Sequence, residues 1–81
     1  MKKIVFSERA RADIRTLSRE TAMSIFEDLH RFAETGQGDI KKLKGDTADF
    51  RLRVGDYRVR FAEESGIIHV ARVLHRKDAY R

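Results

Sequence analysis

Between Phe50 and Phe61 the chain alternates apolar and basic residues on either side of a Gly55-Asp56 pair. Phe50, Leu52 and Val54 alternate with Arg51 and Arg53, and Tyr57, Val59 and Phe61 alternate with Arg58 and Arg60. A period of two is the mark of a strand with one buried face. Gly-Asp between two such runs predicts a two-residue hairpin loop, with glycine at the first central position as a type II′ turn requires. Counting outward from that loop sets Val54 against Tyr57, Leu52 against Val59 and Phe50 against Phe61, all on the core face. The other face then carries Arg53 opposite Arg58 and Arg51 opposite Arg60.

The rest of the chain follows from this hairpin. Lys2 to Phe6 is β-branched and aromatic and reads as a first strand. Ser7 is a good helix N-cap, and Glu8 after it suits the positive end of a helix dipole. Ala10, Ile14 and Leu17 recur at helical spacing. Ser18 or Thr21 caps a second helix, in which Ala22, Ile25, Phe26, Leu29, Phe32 and Ala33 form the apolar stripe. Gly36 ends it. Gln37 to Thr47 is a polar connector, Glu63-Glu64-Ser65-Gly66 a second turn, and Ile67 to Leu74 a last strand, apolar on both faces and so central in the sheet. His75 to Arg81 is a polar tail. With 81 residues there is room for one domain, 1–81, and one modest core. The fold class expected is α+β, in the order βααβββ: an antiparallel sheet with an N-terminal helical hairpin packed on one face.

Charge narrows the function. Lys plus Arg number 18 against 13 Asp plus Glu, for a net charge of +5, and 12 of the 18 cations are arginine. The pI near 10.0 points to an anionic partner. Arginine forks match phosphate and carboxylate geometry better than lysine does. Like charges directly opposite each other in a sheet destabilise it by about 0.2–1 kcal/mol per pair. Four outward guanidinium groups are therefore read as a preformed anion site for nucleic-acid phosphates. The competing reading is a solvated face whose arginines pair with acids elsewhere in the chain, although no acid falls on that face within these two strands. There is no cysteine, hence no disulfide or thiolate metal site. The opening residues are apolar for only three positions, too few for a secretory core of about 7–15 residues or a spanning helix of about 20. The expected setting is cytoplasmic, with no membrane partner.

For chemistry, the histidines His30, His69 and His75 do not cluster, no glycine-rich phosphate loop exists, and neither a metal nor a cofactor is expected. Metal-free cleavage of RNA remains open, because the 2′-hydroxyl is its own nucleophile. An enzyme then has to align that hydroxyl and stabilise the charge that develops on phosphorus. His75 and Tyr80 are the proton-transfer candidates near the arginine face. Read blandly, His75 is an exposed residue at a strand end and Tyr80 a terminal aromatic over a core edge. Lys41, Lys42 and Lys44 read either as a solvated loop or as contacts to the backbone of a large RNA.

Three segments resemble a known family: Lys41-Lys42-Leu43-Lys44-Gly45, the run from Phe50 to Phe61, and Val73-Leu74-His75-Arg76-Lys77-Asp78-Ala79-Tyr80. With the strand–helix–helix opening they span Ile4 to Tyr80. The chain resembles the RelE branch of the RelE/ParE toxins of type II toxin–antitoxin pairs. The resemblance implies a ribosome-dependent mRNA endonuclease (an mRNA interferase) that cuts the codon exposed in the A site. It implies as partners the ribosome, mRNA and an acidic, partly disordered antitoxin, with operator DNA reached only through that antitoxin. Carried over, Arg51 and Arg53 match basic positions of the middle strand, Arg58 a phosphate-stabilising arginine, Arg76 the arginine after the last strand, and Tyr80 the C-terminal tyrosine. Arg51 and Arg53 stand where some relatives carry lysine, and the step from Arg76 to Tyr80 is shorter than in some. Arg60 joins Lys41, Lys42 and Lys44 as an RNA contact.

Two other readings use the same fold. One is a ParE-type inhibitor that blocks gyrase by binding, with no catalysis. The other is a regulatory module whose arginines grip an acidic peptide, since arginine pairs with carboxylate as readily as with phosphate.

Overall fold

The computed structural model describes residues 1–43 and 49–79. Strand β1 (Lys3–Phe6) leads into helix α1 (Glu8–Arg15) and helix α2 (Arg19–Thr35), followed by strands β2 (Ile40–Lys42), β3 (Asp49–Val54), β4 (Tyr57–Glu64) and β5 (Ile67–His75). Both helices start as the capping residues dictate. Ser7 Oγ accepts a hydrogen bond from the Ala10 amide at 3.0 Å, and Ser18 Oγ one from Thr21 at 3.2 Å, so each satisfies an amide the helix itself leaves unpaired. Gly36 closes α2 in the left-handed region, at φ 76°, where a side chain would be strained.

The five strands form one sheet in the order β1-β5-β4-β3-β2. The β3–β4 register is the one expected: Val54↔Tyr57, Leu52↔Val59 and Phe50↔Phe61 alternate with Arg53↔Arg58 and Arg51↔Arg60. Gly55 takes φ 58°, and Asp56 needs no positive φ, as a type II′ loop has it. In the next loop Ser65 and Gly66 both take positive φ, the pattern of a type I′ turn.

One face of the sheet is covered. Ala10 from α1 and Ile25, Leu29, Phe32 and Ala33 from α2 bury against Leu52, Val54, Val59, Phe61, Ile68, Val70 and Val73. Phe61 holds the centre, with its ring 5.3 Å from Phe32 and stacked at 5.5 Å on Phe50. Burying one such side chain stabilises the fold by roughly 1.5–3 kcal/mol. Phe26, placed in the α2 stripe by spacing, is 38% exposed at its margin, its ring edge-on to Phe6 at 5.8 Å.

Three details depart from the sequence-based expectation. The sheet is mixed rather than antiparallel throughout, because β1 pairs parallel with β5 (Ile4↔Ile68, Phe6↔Val70). Alternation decides which residues face the core but says nothing of strand direction. Second, the connector holds a fifth strand, β2, pairing with β3 through Ile40↔Leu52, Lys41↔Arg51 and Lys42↔Phe50. Residues 44–47 of that connector lie outside the described residues. Third, β5 carries a bulge. Phe61 pairs with Val70 and Arg60 with Arg72, so Ala71 has no opposite number. Val70 and Val73, three apart, are both buried as a result, whereas Arg72 turns to the outer face.

Beyond the bulge, β1 has ended and the edge of β5 is covered by α1. Asp13 reaches across it: Oδ2 accepts from the Val73 amide at 2.9 Å and from Arg72 Nε at 2.8 Å, and Oδ1 accepts from Arg72 Nη2 at 3.2 Å. Burial opposes the charged carboxylate, but the Arg72 fork, the Val73 amide and Arg9 outweigh it and hold Asp13 below the usual carboxylate range.

Two measurements check this frame. Asp13→Asn weakens the bond to Arg72 and sets an amide donor beside the Val73 N–H, at a cost of about 1–3 kcal/mol. Since the folded carboxyl titrates below its unfolded value, its contribution is complete above about pH 4 and fades as the pH falls through the lowered folded value. Parent and variant melting temperatures therefore converge in acid, and a gap independent of pH would contradict the assignment. Arg60→Thr removes a cation lying between Arg51 and Arg72 on neighbouring strands and raises stability by a few tenths of a kcal/mol at low salt. That gain shrinks at high ionic strength; a clear fall in melting temperature would mean that Arg60 is held by an acidic partner.

Candidate nucleic-acid interface

The helices lie on one side of the sheet, so the outward residues of four strands form an open face. Register lines them up in rows. Lys41 pairs with Arg51, Arg51 with Arg60, and Arg60 with Arg72, a row of four cations crossing β2, β3, β4 and β5. Neighbouring strands are about 4.8 Å apart, so the row spans roughly 14 Å. The adjacent row toward the hairpin loop holds Arg53, Arg58 and Leu74. The four arginines read from the sequence thus share one surface, and the structure adds Lys41 and Arg72 to it.

These arginines are not equally available. Arg53 is exposed and Arg51 and Arg60 are half-buried, while Arg58 is only 7% exposed. Arg58 Nη1 donates to the carbonyl oxygens of Gly55 at 2.9 Å and Tyr57 at 3.1 Å, tying the guanidinium to the hairpin loop. Among the described residues, the Nε–H groups of Arg51 and Arg58 are buried with no hydrogen-bond partner. Buried donors are rarely left so, because an unmade bond costs about 1–3 kcal/mol.

The remaining sequence-based candidates are dispersed. Arg76 follows β5 in an exposed turn beside the β3–β4 loop. Its amide donates to the Asp56 carbonyl at 2.7 Å, and its Nε lies 3.8 Å from Asp56 Oδ1. It stands at the rim of the arginine face. His75 was expected near that face, but it pairs with Tyr57, whose side belongs to the core. The two rings meet edge-on at 5.3 Å, and His75 Nδ1 accepts from the Lys77 amide at 3.2 Å. Lys42 pairs with Phe50 and so lies on the helix side, exposed at the sheet edge. Lys44 and Tyr80 lie outside the described residues.

Arg72 is the outer-face residue that strand alternation missed. The signal was present as the irregular spacing of Ile68, Val70 and Val73, which no unbroken strand accommodates on one face. Among the described residues no three His, Cys, Asp or Glu side chains gather as a metal site would need, and no helix is long and apolar enough to cross a membrane.

The fold has known counterparts. The family model for the ParE toxin of type II toxin–antitoxin systems, parDE, matches residues 4–80. Toxin RelE3 of Methanocaldococcus jannaschii is 48% identical over 42 residues, 52% of this chain, so the chain matches about half (48%) of that relative's length. A chain of the RelB–RelE antitoxin–toxin complex from Methanococcus jannaschii superposes with a TM-score of 0.78 at 28% identity, covering 94% of both chains. A chain of the RelBE2 toxin–antitoxin complex from Mycobacterium tuberculosis gives a TM-score of 0.74 at 25% identity, over 91% of this chain and 96% of that one. The archaeal RelE–RelB complex from Pyrococcus horikoshii, at 19% identity and a TM-score of 0.79 over 96% and 98% of the two chains, shares the fold. A family match from residue 4 to residue 80 takes in all of the sheet but Lys3, both helices and every outward arginine, and the chain belongs to the RelE/ParE superfamily of type II toxin–antitoxin toxins.

Proposed function

We propose that the chain is a RelE-type mRNA endonuclease acting on the ribosome, and that the outer cation row is where it grips the RNA backbone. The observation that carries this reading is the row of four outward cations, Lys41, Arg51, Arg60 and Arg72, with Arg53 and Arg58 in the row beside it. A phosphodiester offers acceptor oxygens to the open guanidinium edges of that row. Preorganised donors in a partly dry site stabilise developing charge far better than the same groups in water.

The reaction that suits such a face needs no metal. The 2′-oxygen of one nucleotide attacks the adjacent phosphorus, the bond to the 5′-oxygen breaks, and the products are a 2′,3′-cyclic phosphate and a 5′-hydroxyl. The proton lost from the 2′-hydroxyl is balanced by one delivered to the 5′-oxygen. Arg51 and Arg53, with Arg60 and Lys41, hold and align the phosphates. Arg58, fixed by the loop carbonyls, presents its remaining open donor edge to the phosphate oxygens, and Arg76 closes the rim. Proton transfer is assigned to Tyr80. His75, packed on Tyr57 and bonded to the Lys77 amide, holds the turn that carries Arg76. Lys42 and Lys44 contact the surrounding ribosomal RNA. The RelB–RelE complexes of its structural relatives support an antitoxin partner for this chain, through which operator DNA is reached, and the setting is the cytoplasm.

A second reading is favoured by one observation: the matching family model is described by its ParE member, and a ParE-type protein inhibits gyrase by binding alone. Arginines held in place and partly buried, Arg58 by the Gly55 and Tyr57 carbonyls, favour the nuclease, since preorganised cations suit charge developing at phosphorus.

The test is end-mapping of mRNA on programmed ribosomes. The parent chain leaves 2′,3′-cyclic phosphate ends, and Arg58→Ala cuts about 10²–10³-fold more slowly while still melting cooperatively. A folded Arg58→Ala protein that cuts at the parent rate removes Arg58 from the site, and 3′-hydroxyl ends would contradict attack by the RNA's own 2′-hydroxyl.

A further inference from the structure

One row further from the hairpin loop than the cations, about 7 Å along the strands, the outer face changes character. Val5 pairs with His69, His69 with Ala62, and Ala62 with Asp49, so the row crosses β1, β5, β4 and β3. It encloses a shallow hollow of about 240 Å³, lined by Val5, Ser7, Asp49, Ala62, His69 and Ala71 among others. Small side chains at Ala62 and Ala71 leave room for it. The bulge is what brings Ala71 there, next to Arg72 of the cation row. The hydroxyl of Ser7 is already donated to the Ala71 carbonyl at 2.8 Å, which makes the lining mostly apolar. Val5 is 37% exposed, one of few large apolar side chains left open, and beside it stands the exposed ring of His69.

We infer that this hollow receives one nucleobase of the RNA whose phosphates lie on the Lys41–Arg51–Arg60–Arg72 row. An unstacked base presents a flat apolar face and seeks an aromatic or histidine ring to stack on. Val5, Ala62 and His69 offer that surface one row away from the phosphate contacts, with space for a single ring system. His69 is thereby a specificity-determining residue. This rests on the endonuclease reading, and it assigns His69 a task separate from the chemistry at phosphorus.

The experiment sequences the 5′ ends made by the parent, His69→Ala and His69→Phe on ribosomes carrying a randomised codon library, with each melting temperature measured. At one codon position His69→Ala loses about fivefold or more of the parent's base preference, and His69→Phe, which keeps a stacking ring, retains it. Unchanged base preference in folded His69→Ala overturns the inference while leaving the nuclease reading standing. The inference also fails if His69→Ala only weakens inhibition by the antitoxin, for then the hollow is a protein contact. No cleavage by the parent chain would end both readings.

Discussion

The register of the β3–β4 hairpin is the constraint on which the rest of the molecule depends. A slip of one residue would bring Arg51, Arg53, Arg58 and Arg60 under the helices and expel Phe50, Leu52, Val59 and Phe61. Gly55, at φ 58°, pins the loop length and prevents the slip. The same alternation that fills the core therefore concentrates charge on the opposite face. Three apolar pairs face the helices and two basic pairs alternate with them on the other side, and the apolar burial offsets the repulsion between those cations.

A second device refines that face. The bulge at Ala71 shifts the alternation of β5, so that Val70 and Val73 both stay in the core while Arg72 joins Lys41, Arg51 and Arg60. A bulge costs pairing and exposes an edge. Asp13 answers both by accepting from the Val73 amide and neutralising Arg72 from the side, which also ties α1 to the sheet. Arg72 is thereby matched by an acid that comes from a helix rather than from the sheet itself.

Much of this was legible in the sequence because it was local. Ser7 and Ser18 as caps, Gly36 as a helix end and the two glycine loops each obey rules spanning only a few residues. The hairpin register followed by counting. Other features were hidden because tertiary contacts decide them. β1 finds the free edge of β5, and nothing in Ile4-Val5-Phe6 encodes a parallel partner. β2 is a three-residue edge strand in which Ile40 is the one apolar residue, and so it reads as connector. His75 continues the phase of Val73 beyond the bulge, which sets it against Tyr57 rather than among the arginines. Arg58 looked like an exposed strand residue, yet its guanidinium folds back onto the loop carbonyls and is nearly covered.

The face that results is basic, with six cations in two adjacent rows. The central claim is that this charge serves cleavage of messages on ribosomes rather than inhibition of gyrase. The most direct measurement is a pulse-labelling pair, leucine in one culture and thymidine in the other, within minutes of inducing the chain in bacteria without its antitoxin. The account predicts that leucine incorporation collapses first while thymidine incorporation continues. Collapse of thymidine incorporation first would contradict it and leave the arginines as binding residues of a gyrase inhibitor.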